Sequence, residues 1–166
     1  MRIFLVGYMG SGKSRFGKKL ARKMKLQFYD LDDLIEHKAG RSISDIFRDL
    51  GENRFRKIEN DCLNKIRQKE NIVLATGGGT PCFFNNMQTM NELGLTIYLK
   101  MEAGMLANRI DNSKTERPLI KNMKGEALKD FIRKNLKERE QFYLQAKQIV
   151  NISSTKIDEI IEIIKS

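Results

Sequence analysis

Residues 7–14 read Gly-Tyr-Met-Gly-Ser-Gly-Lys-Ser, the spacing G-x-x-x-x-G-K-[ST], and they follow a short apolar run at residues 2–6. This pattern carries phosphate-binding chemistry. The glycines let backbone N–H groups turn inward around phosphate oxygens, and the following helix N-terminus adds its dipole. In such a loop Gly10, Ser11, Gly12 and Lys13 wrap the phosphates, with Lys13 reaching the β- and γ-phosphates and the Ser14 hydroxyl ligating Mg²⁺. A glycine-rich turn of purely structural purpose would not need Lys-Ser at that spacing.

Phosphoryl transfer also needs a carboxylate close to the metal. The apolar strand at residues 72–76 ends in Thr76 and glycines, so it supplies none. Acids stand instead at the end of a second strand, "YDLDD". A strand period of two puts Asp30 and Asp32 on one face and leaves Asp33 as the cap of the next helix. One acid would serve the metal's water shell and the other an acceptor hydroxyl; the plainer alternative is two solvated strand-end acids. Arg56 and Glu59 stand three apart in "FRKIE" and can pair on a helix. Arg117, next to Pro118, either closes over a transferring phosphate or is a solvated loop charge. Arg139 lies in the charge-rich "KEREQFY", where a wet helix face is the plainer reading. His37, the single histidine, has no ligand partners nearby. Cys62 reads as core; Cys82, just after the glycines, is either an accessible thiol or, the plainer reading, an inert buried one.

"IVLATGGGTP" at residues 72–81 poses its own problem. Glycine is the most costly residue to order. Three in succession imply a close approach by another strand, a phosphate or a substrate. A second phosphate loop would lack Lys and Ser/Thr, and one glycine suffices for a strand crossing. A substrate surface at the C-terminal end of a central strand is the favoured reading, with an added methyl at Gly78 intruding on the substrate.

Elements must hold these groups in place. Strands are expected at residues 2–6, 27–32, 72–76, 95–100 and 148–152. Helices are expected at about 13–24, 33–40, 42–51, 52–68, 83–93, 103–110, 126–146 and 156–165. The alternation implies one parallel sheet covered on both faces. Residues 111–124 form the one long irregular stretch, the usual place for a lid. The chain has 166 residues, 40% hydrophobic and 31% charged, which fits one soluble domain. No apolar run approaches a membrane span, no secretory leader pattern stands at the N-terminus, and two cysteines make no disulfide framework, so a cytoplasmic protein is expected. The net charge of +10 favours anionic partners. Its lysines and arginines are scattered, so small anions are favoured over nucleic acid. No heptad seam is visible, and a monomer is expected.

Taken together, residues 7–14, "DLD" at 30–32, "GRSISDIF" at 40–47, "FRKIE" at 55–59, "GGG" at 77–79, "RPL" at 117–119 and "ERxxxYxxA" at 138–146 resemble the shikimate kinases along nearly the whole chain. The resemblance implies an α/β P-loop kinase fold like that of the nucleoside monophosphate kinases, with a five-stranded parallel sheet in the order 2-3-1-4-5. It implies a single domain over residues 1–166, with a shikimate-binding region at about 32–60 and a lid at about 110–124. The implied reaction moves the γ-phosphate of ATP to the 3-hydroxyl of shikimate, on the route to chorismate and the aromatic amino acids. By the same resemblance Asp32 holds the shikimate hydroxyls and acts as base or positioner, while Asp30 supports Mg²⁺ through water beside Ser14. Arg56 and Arg139 clamp the carboxylate and Glu59 orients Arg56. Gly77, Gly78 and Gly79 face the substrate, and Phe47 and Phe55 line its ring. Arg117 reaches the phosphates from the lid, and Arg109 lies against adenine opposite residues 153–155. Arg15 stands where the family often has Thr, at the edge of the ATP cradle. A gluconate or nucleotide kinase and a nucleic-acid-binding ATPase are the rival readings. The carboxylate clamp argues against a nucleotide acceptor, and the lack of a clustered basic surface argues against the ATPase.

Overall fold

Four successive apolar residues, Ile3, Phe4, Leu5 and Val6, can be buried only where both faces of a strand are covered. In the structure, a computed structural model describing residues 1–115 and 117–166, all four are fully inaccessible to solvent. They belong to β1 (Arg2–Val6), the central strand of a five-stranded sheet. The others are β2 (Gln27–Asp30), β3 (Ile72–Ala75), β4 (Leu95–Lys100) and β5 (Gln148–Asn151). The order is β2-β3-β1-β4-β5 and every pairing is parallel. This is the sheet the resemblance implied.

Alternation along the strands divides the core in two. Phe4, Val6, Ile72 and Leu74 point to one face, where they meet α2 (Leu31–Ala39), α3 (Ile43–Lys65), α4 (Asn86–Leu93), α5 (Ala103–Asp111) and α6 (Gly125–Tyr143). Ile3, Leu5, Val73, Ile97 and Leu99 point to the other, against α1 (Lys13–Met24) and α7 (Ile157–Lys165). Phe16, Leu20 and Ala21 line the buried stripe of α1, as their helical spacing requires.

One departure from the sequence reading bears on the site. The second strand ends at Asp30, not Asp32. Asp30 has an extended backbone and its Oδ1 accepts from the Asp32 N–H at 3.1 Å. Asp30 is thus the N-cap of α2, and Asp33 is not. Asp32 stands in the helix's first turn rather than two residues along a strand face. Leu31 and Ile35, both fully buried and one turn apart, pull the chain into helix at once. The two helices expected on either side of Gly51 are both present, joined without a loop into the single kinked element α3. Gly51 has φ 78° and ψ 171°, outside helical space, so residues 43–50 and 52–65 form two segments across a bend. Nothing lies near a Cβ placed on Gly51, so its backbone angle alone calls for glycine.

Candidate active site

The C-terminal ends of β2, β3 and β1 are adjacent, and ligands of open α/β sheets bind at that edge. The phosphate loop leaves β1 there and closes at Gly12, the N-cap of α1, with φ 89°. That left-handed turn is open to glycine and costly for other residues. Lys13 is 8% exposed, and its Nζ donates to the Gly7 carbonyl at 2.7 Å and the Tyr8 carbonyl at 2.9 Å. Burial pushes its pKa down to about 8, against the opposing pull of Asp32 and Asp30. The loop therefore holds a desolvated ammonium group that a polyphosphate would stabilise. The Ser14 hydroxyl donates to Asp30 Oδ2. Arg109, on α5, donates through Nη1 to the Gly10 carbonyl at 3.2 Å and lies beside Gly12. Arg15 is exposed on the rim of the same cleft.

Asp30 thus holds two groups at once, the Ser14 hydroxyl and the Asp32 backbone. Asp32 itself opens to the cleft. Crowding by protein raises its pKa to about 6, and the neighbouring charges of Asp30 and Glu59 add to the rise while Lys13 opposes it. A carboxylate with that pKa is mostly ionised at neutral pH and basic enough to take a proton.

The second chamber is built on α3. Glu59, Arg56 and Glu52 occur at helical intervals of three and four on one face. Arg56 Nη1 donates to Glu59 Oε1 at 2.9 Å, and both side chains are almost wholly buried. Glu59 Oε2 accepts from the Thr80 hydroxyl at 2.7 Å. The Arg56 Cζ lies 4.2 Å from the Phe83 ring centre and 5.0 Å from that of Phe55. Phe47 packs tilted on Phe55, with ring centres 4.6 Å apart. A guanidinium so enclosed cannot swing freely. Arg139 reaches the chamber from α6, with its Cζ 5.6 Å from the Tyr8 ring centre. Tyr8 and Tyr143 brace that helix: the Tyr8 hydroxyl donates to Asn135 Oδ1 at 2.9 Å and the Tyr143 hydroxyl to the Gly78 carbonyl.

The three glycines answer to three different neighbours. A Cβ on Gly77 would come 3.0 Å from Thr80 Oγ1 and 3.2 Å from Glu59 Oε2. One on Gly78 would approach the Met9 backbone nitrogen at 3.1 Å and Arg139 Nη1 at 3.5 Å. One on Gly79 would strike Arg56, at 2.4 Å from Nη2 and 2.8 Å from Cζ. A methyl on Gly78 therefore faces the phosphate loop. It also stands beside the Arg139 guanidinium, on the boundary that both chambers share. The run lets β3's continuation press against the machinery of both chambers.

Those chambers are a cleft of about 390 Å³ along the phosphate loop and one of about 260 Å³ between α3 and α6. Met9, Asp32, Gly77, Gly78 and Arg117 line both. Arg117 stands on the shared boundary. Its Nε is buried and has no partner among the described residues. The structure thus brings Lys13, Ser14, Asp30, Asp32, Arg56, Glu59, residues 77–79, Arg117 and Arg139 to one edge of the sheet. It keeps His37 exposed on the surface. Cys62 is buried, as expected of a core residue, while Cys82 is half-buried and desolvation raises its thiol to about 11. The Arg109 contact in the structure is with the phosphate loop; residues 153–155 lie at the far end of α5, where the Ser153 hydroxyl approaches Met105 Sδ. Sequence reasoning missed Glu52, Thr80 and Phe83, and gave Tyr143 no role of its own. A pair at i, i+4 offered a signal for Glu52, whereas Phe83 and Thr80 meet Arg56 and Glu59 only through the fold.

Comparison with known proteins points one way. The family model described as shikimate kinase matches residues 9–166. A shikimate kinase of Azobacteroides pseudotrichonymphae genomovar. CFP2 is 49% identical over 162 residues, covering 97% of this chain and 95% of its own. The crystal structure of the Bacteroides thetaiotaomicron shikimate kinase is 37% identical with a TM-score of 0.93, over 100% of this chain and 99% of that one. The Acinetobacter baumannii enzyme, solved in complex with shikimate, is 31% identical with a TM-score of 0.88, over 99% and 92%.

Proposed function

The chain belongs to the shikimate kinase family, and we propose from that premise how its residues divide the work. The reaction transfers the γ-phosphate of ATP to the 3-hydroxyl of shikimate, giving shikimate 3-phosphate and ADP for aromatic amino acid biosynthesis. One observation carries the assignment: two chambers, one cationic and loop-lined, the other built around a buried arginine, meet at Asp32 and Arg117. ATP takes the phosphate-loop cleft. Lys13 leaves its carbonyl partners for the β- and γ-phosphates, while Ser11, Arg15 and Arg109 border the nucleotide.

Shikimate takes the other chamber. Its carboxylate meets Arg56 and Arg139, with Glu59 fixing Arg56, and its ring packs on Phe47 and Phe55. Asp32 orients the 3-hydroxyl. The hydroxyl oxygen bonds to the γ-phosphorus as the bond to the ADP oxygen breaks, and the hydroxyl proton passes to Asp32. Arg117 neutralises charge on the moving phosphoryl group from the segment at about 110–124, which acts as a lid and excludes water.

The oxygen donors at Ser14 and Asp30 suit Mg²⁺. No group of three metal-ligating acids, cysteines or histidines exists among the described residues, so the ion would take its other ligands from water and the nucleotide. When bound, Mg²⁺ supplies charge neutralisation on the phosphates. The remaining readings follow: one kinase domain over residues 1–166 acting as a cytoplasmic monomer on two small anions, with neither nucleic acid nor membrane as partner. No described helix is long and apolar enough to cross a membrane.

Arg56→Lys tests the assignment. It keeps the charge and removes the planar fork. The KM for shikimate is expected to rise at least about tenfold, roughly the worth of one charged hydrogen bond, with the KM for ATP close to wild type. A parallel rise in both would make Arg56 a fold or nucleotide residue.

A further inference from the structure

Arg56 has two carboxylate partners, and they differ. Glu59 is locked: its side chain is 1% exposed and both oxygens are engaged, one by Arg56 and one by Thr80. Glu52 is loose: its side chain is 44% exposed and accepts through a single oxygen, Oε1, from Arg56 Nε at 3.4 Å and Nη2 at 3.3 Å. The Nε–Nη2 edge is one of the two guanidinium edges that can grip a carboxylate at two points. Glu52 also begins the helical segment just beyond the Gly51 bend, where a side chain can turn out into water without disturbing the core.

From this we propose that Glu52 is an internal stand-in for the substrate carboxylate. It covers the Nε–Nη2 edge of the buried Arg56 guanidinium and must yield that edge when shikimate arrives. The proposal rests on the reading of Arg56 as part of the carboxylate clamp. A buried guanidinium left with an open edge is destabilising, and a half-exposed carboxylate shields it at little expense because it can return to solvent. The same contact opposes substrate entry, since the incoming carboxylate competes with Glu52 for those donors and is repelled by its charge. Glu52 thereby sets how tightly the chamber holds an acid. An uncharged ring feels no such competition.

Glu52→Gln removes the charge and keeps the shape. Shikimate binding, titrated by calorimetry without nucleotide, is expected to tighten about two- to fivefold, the range of a half-exposed ion pair. The methyl ester of shikimate, which lacks the anion, is expected to bind wild type and variant alike. Thermal denaturation checks that the variant is folded, and a second variant, Glu52→Ala, is expected to tighten binding in the same direction. Weaker shikimate binding in Glu52→Gln would overturn the inference and make Glu52 an organiser of Arg56. Unchanged binding, or equal gains for acid and ester, would also overturn it. Arg56→Lys in the same titration separates the two readings. If it leaves shikimate affinity unchanged, the clamp itself is wrong; if it weakens binding while Glu52→Gln gains nothing, only the stand-in role fails.

Discussion

Gly79→Ala puts a methyl where Arg56 already stands. The new carbon would lie 2.4 Å from Nη2 and 2.8 Å from both Cζ and Nη1, far inside van der Waals contact. The end of an arginine usually moves aside at little cost. Here Nη1 is tied to Glu59 at 2.9 Å, Glu59 is tied to Thr80, and Phe83 and Phe55 flank the guanidinium. The group must leave that seat, and the substrate loses one charged two-point contact. Such contacts are worth about 1.5–3 kcal/mol, so the KM for shikimate is expected to rise about 10- to 150-fold. The KM for ATP is expected to stay within about twofold, because Gly79 is not among the described residues that line the phosphate-loop cleft. A coupled ADP-release assay measures both constants. The mechanism is checked by a double-mutant cycle with Arg56→Ala. Once the guanidinium is gone the methyl's three nearest neighbours are gone with it, so Gly79→Ala should add little to Arg56→Ala. If it raises the KM for shikimate by the same factor in both backgrounds, the collision with Arg56 is not the cause and the reasoning fails.

Gly78→Ala is expected to behave differently: its methyl presses the Met9 backbone at 3.1 Å, so titrations should show ATP and shikimate binding both weakened; a loss confined to shikimate would contradict that placement. Arg117→Ala is expected to lower kcat by about 10²-fold or more with little change in shikimate affinity measured without nucleotide, and full kcat in the variant would make Arg117 a bystander. Activity is expected to fall about tenfold per unit below pH 6 as Asp32, raised to about 6, takes up its proton, and a flat profile from pH 7 to 5 would exclude it as the base. The sign for stability is opposite. A raised carboxyl pKa means the folded chain binds more protons than the unfolded one between about pH 4 and 6, so the charged Asp32 destabilises the fold above that window. Asp32→Asn should therefore be inactive yet more stable at pH 7 by about 1 kcal/mol, the full two-unit shift being cut by solvent in the open cleft. A lower melting temperature in that variant would refute the sign.

Much of the fold could be read because its signals are local. The apolar run at residues 3–6, the Lys-Ser after Gly12 and the helical stripe of Phe16, Leu20 and Ala21 each state their own context. The strand order 2-3-1-4-5 came from resemblance, since parallel pairing leaves no turn signal in the sequence. Asp30 and Asp32 show where local reading failed. "YDLDD" fits a strand period, but burial of Leu31 and Ile35 and the Asp30 cap turn the chain into helix two residues earlier. The glycine run was recognised as a place of close approach, while its neighbours were not. Met9, Glu59 and Arg56 come from distant parts of the chain, and only the packed structure says which glycine faces which. Phe83 carries no signal of its own because its partner, Arg56, lies 27 positions earlier and is brought to it by the packing of α3 against the turn after β3.

Two chambers meet at one carboxylate and one arginine, and in the proposed mechanism phosphate moves only when both are filled. ADP release from the purified protein, followed with ATP and Mg²⁺ present and shikimate added or withheld, tests this most directly. ADP is expected to appear in step with shikimate 3-phosphate and to fall to a small residue without shikimate. Equal ADP release with and without shikimate would contradict the account and make the protein an ATPase.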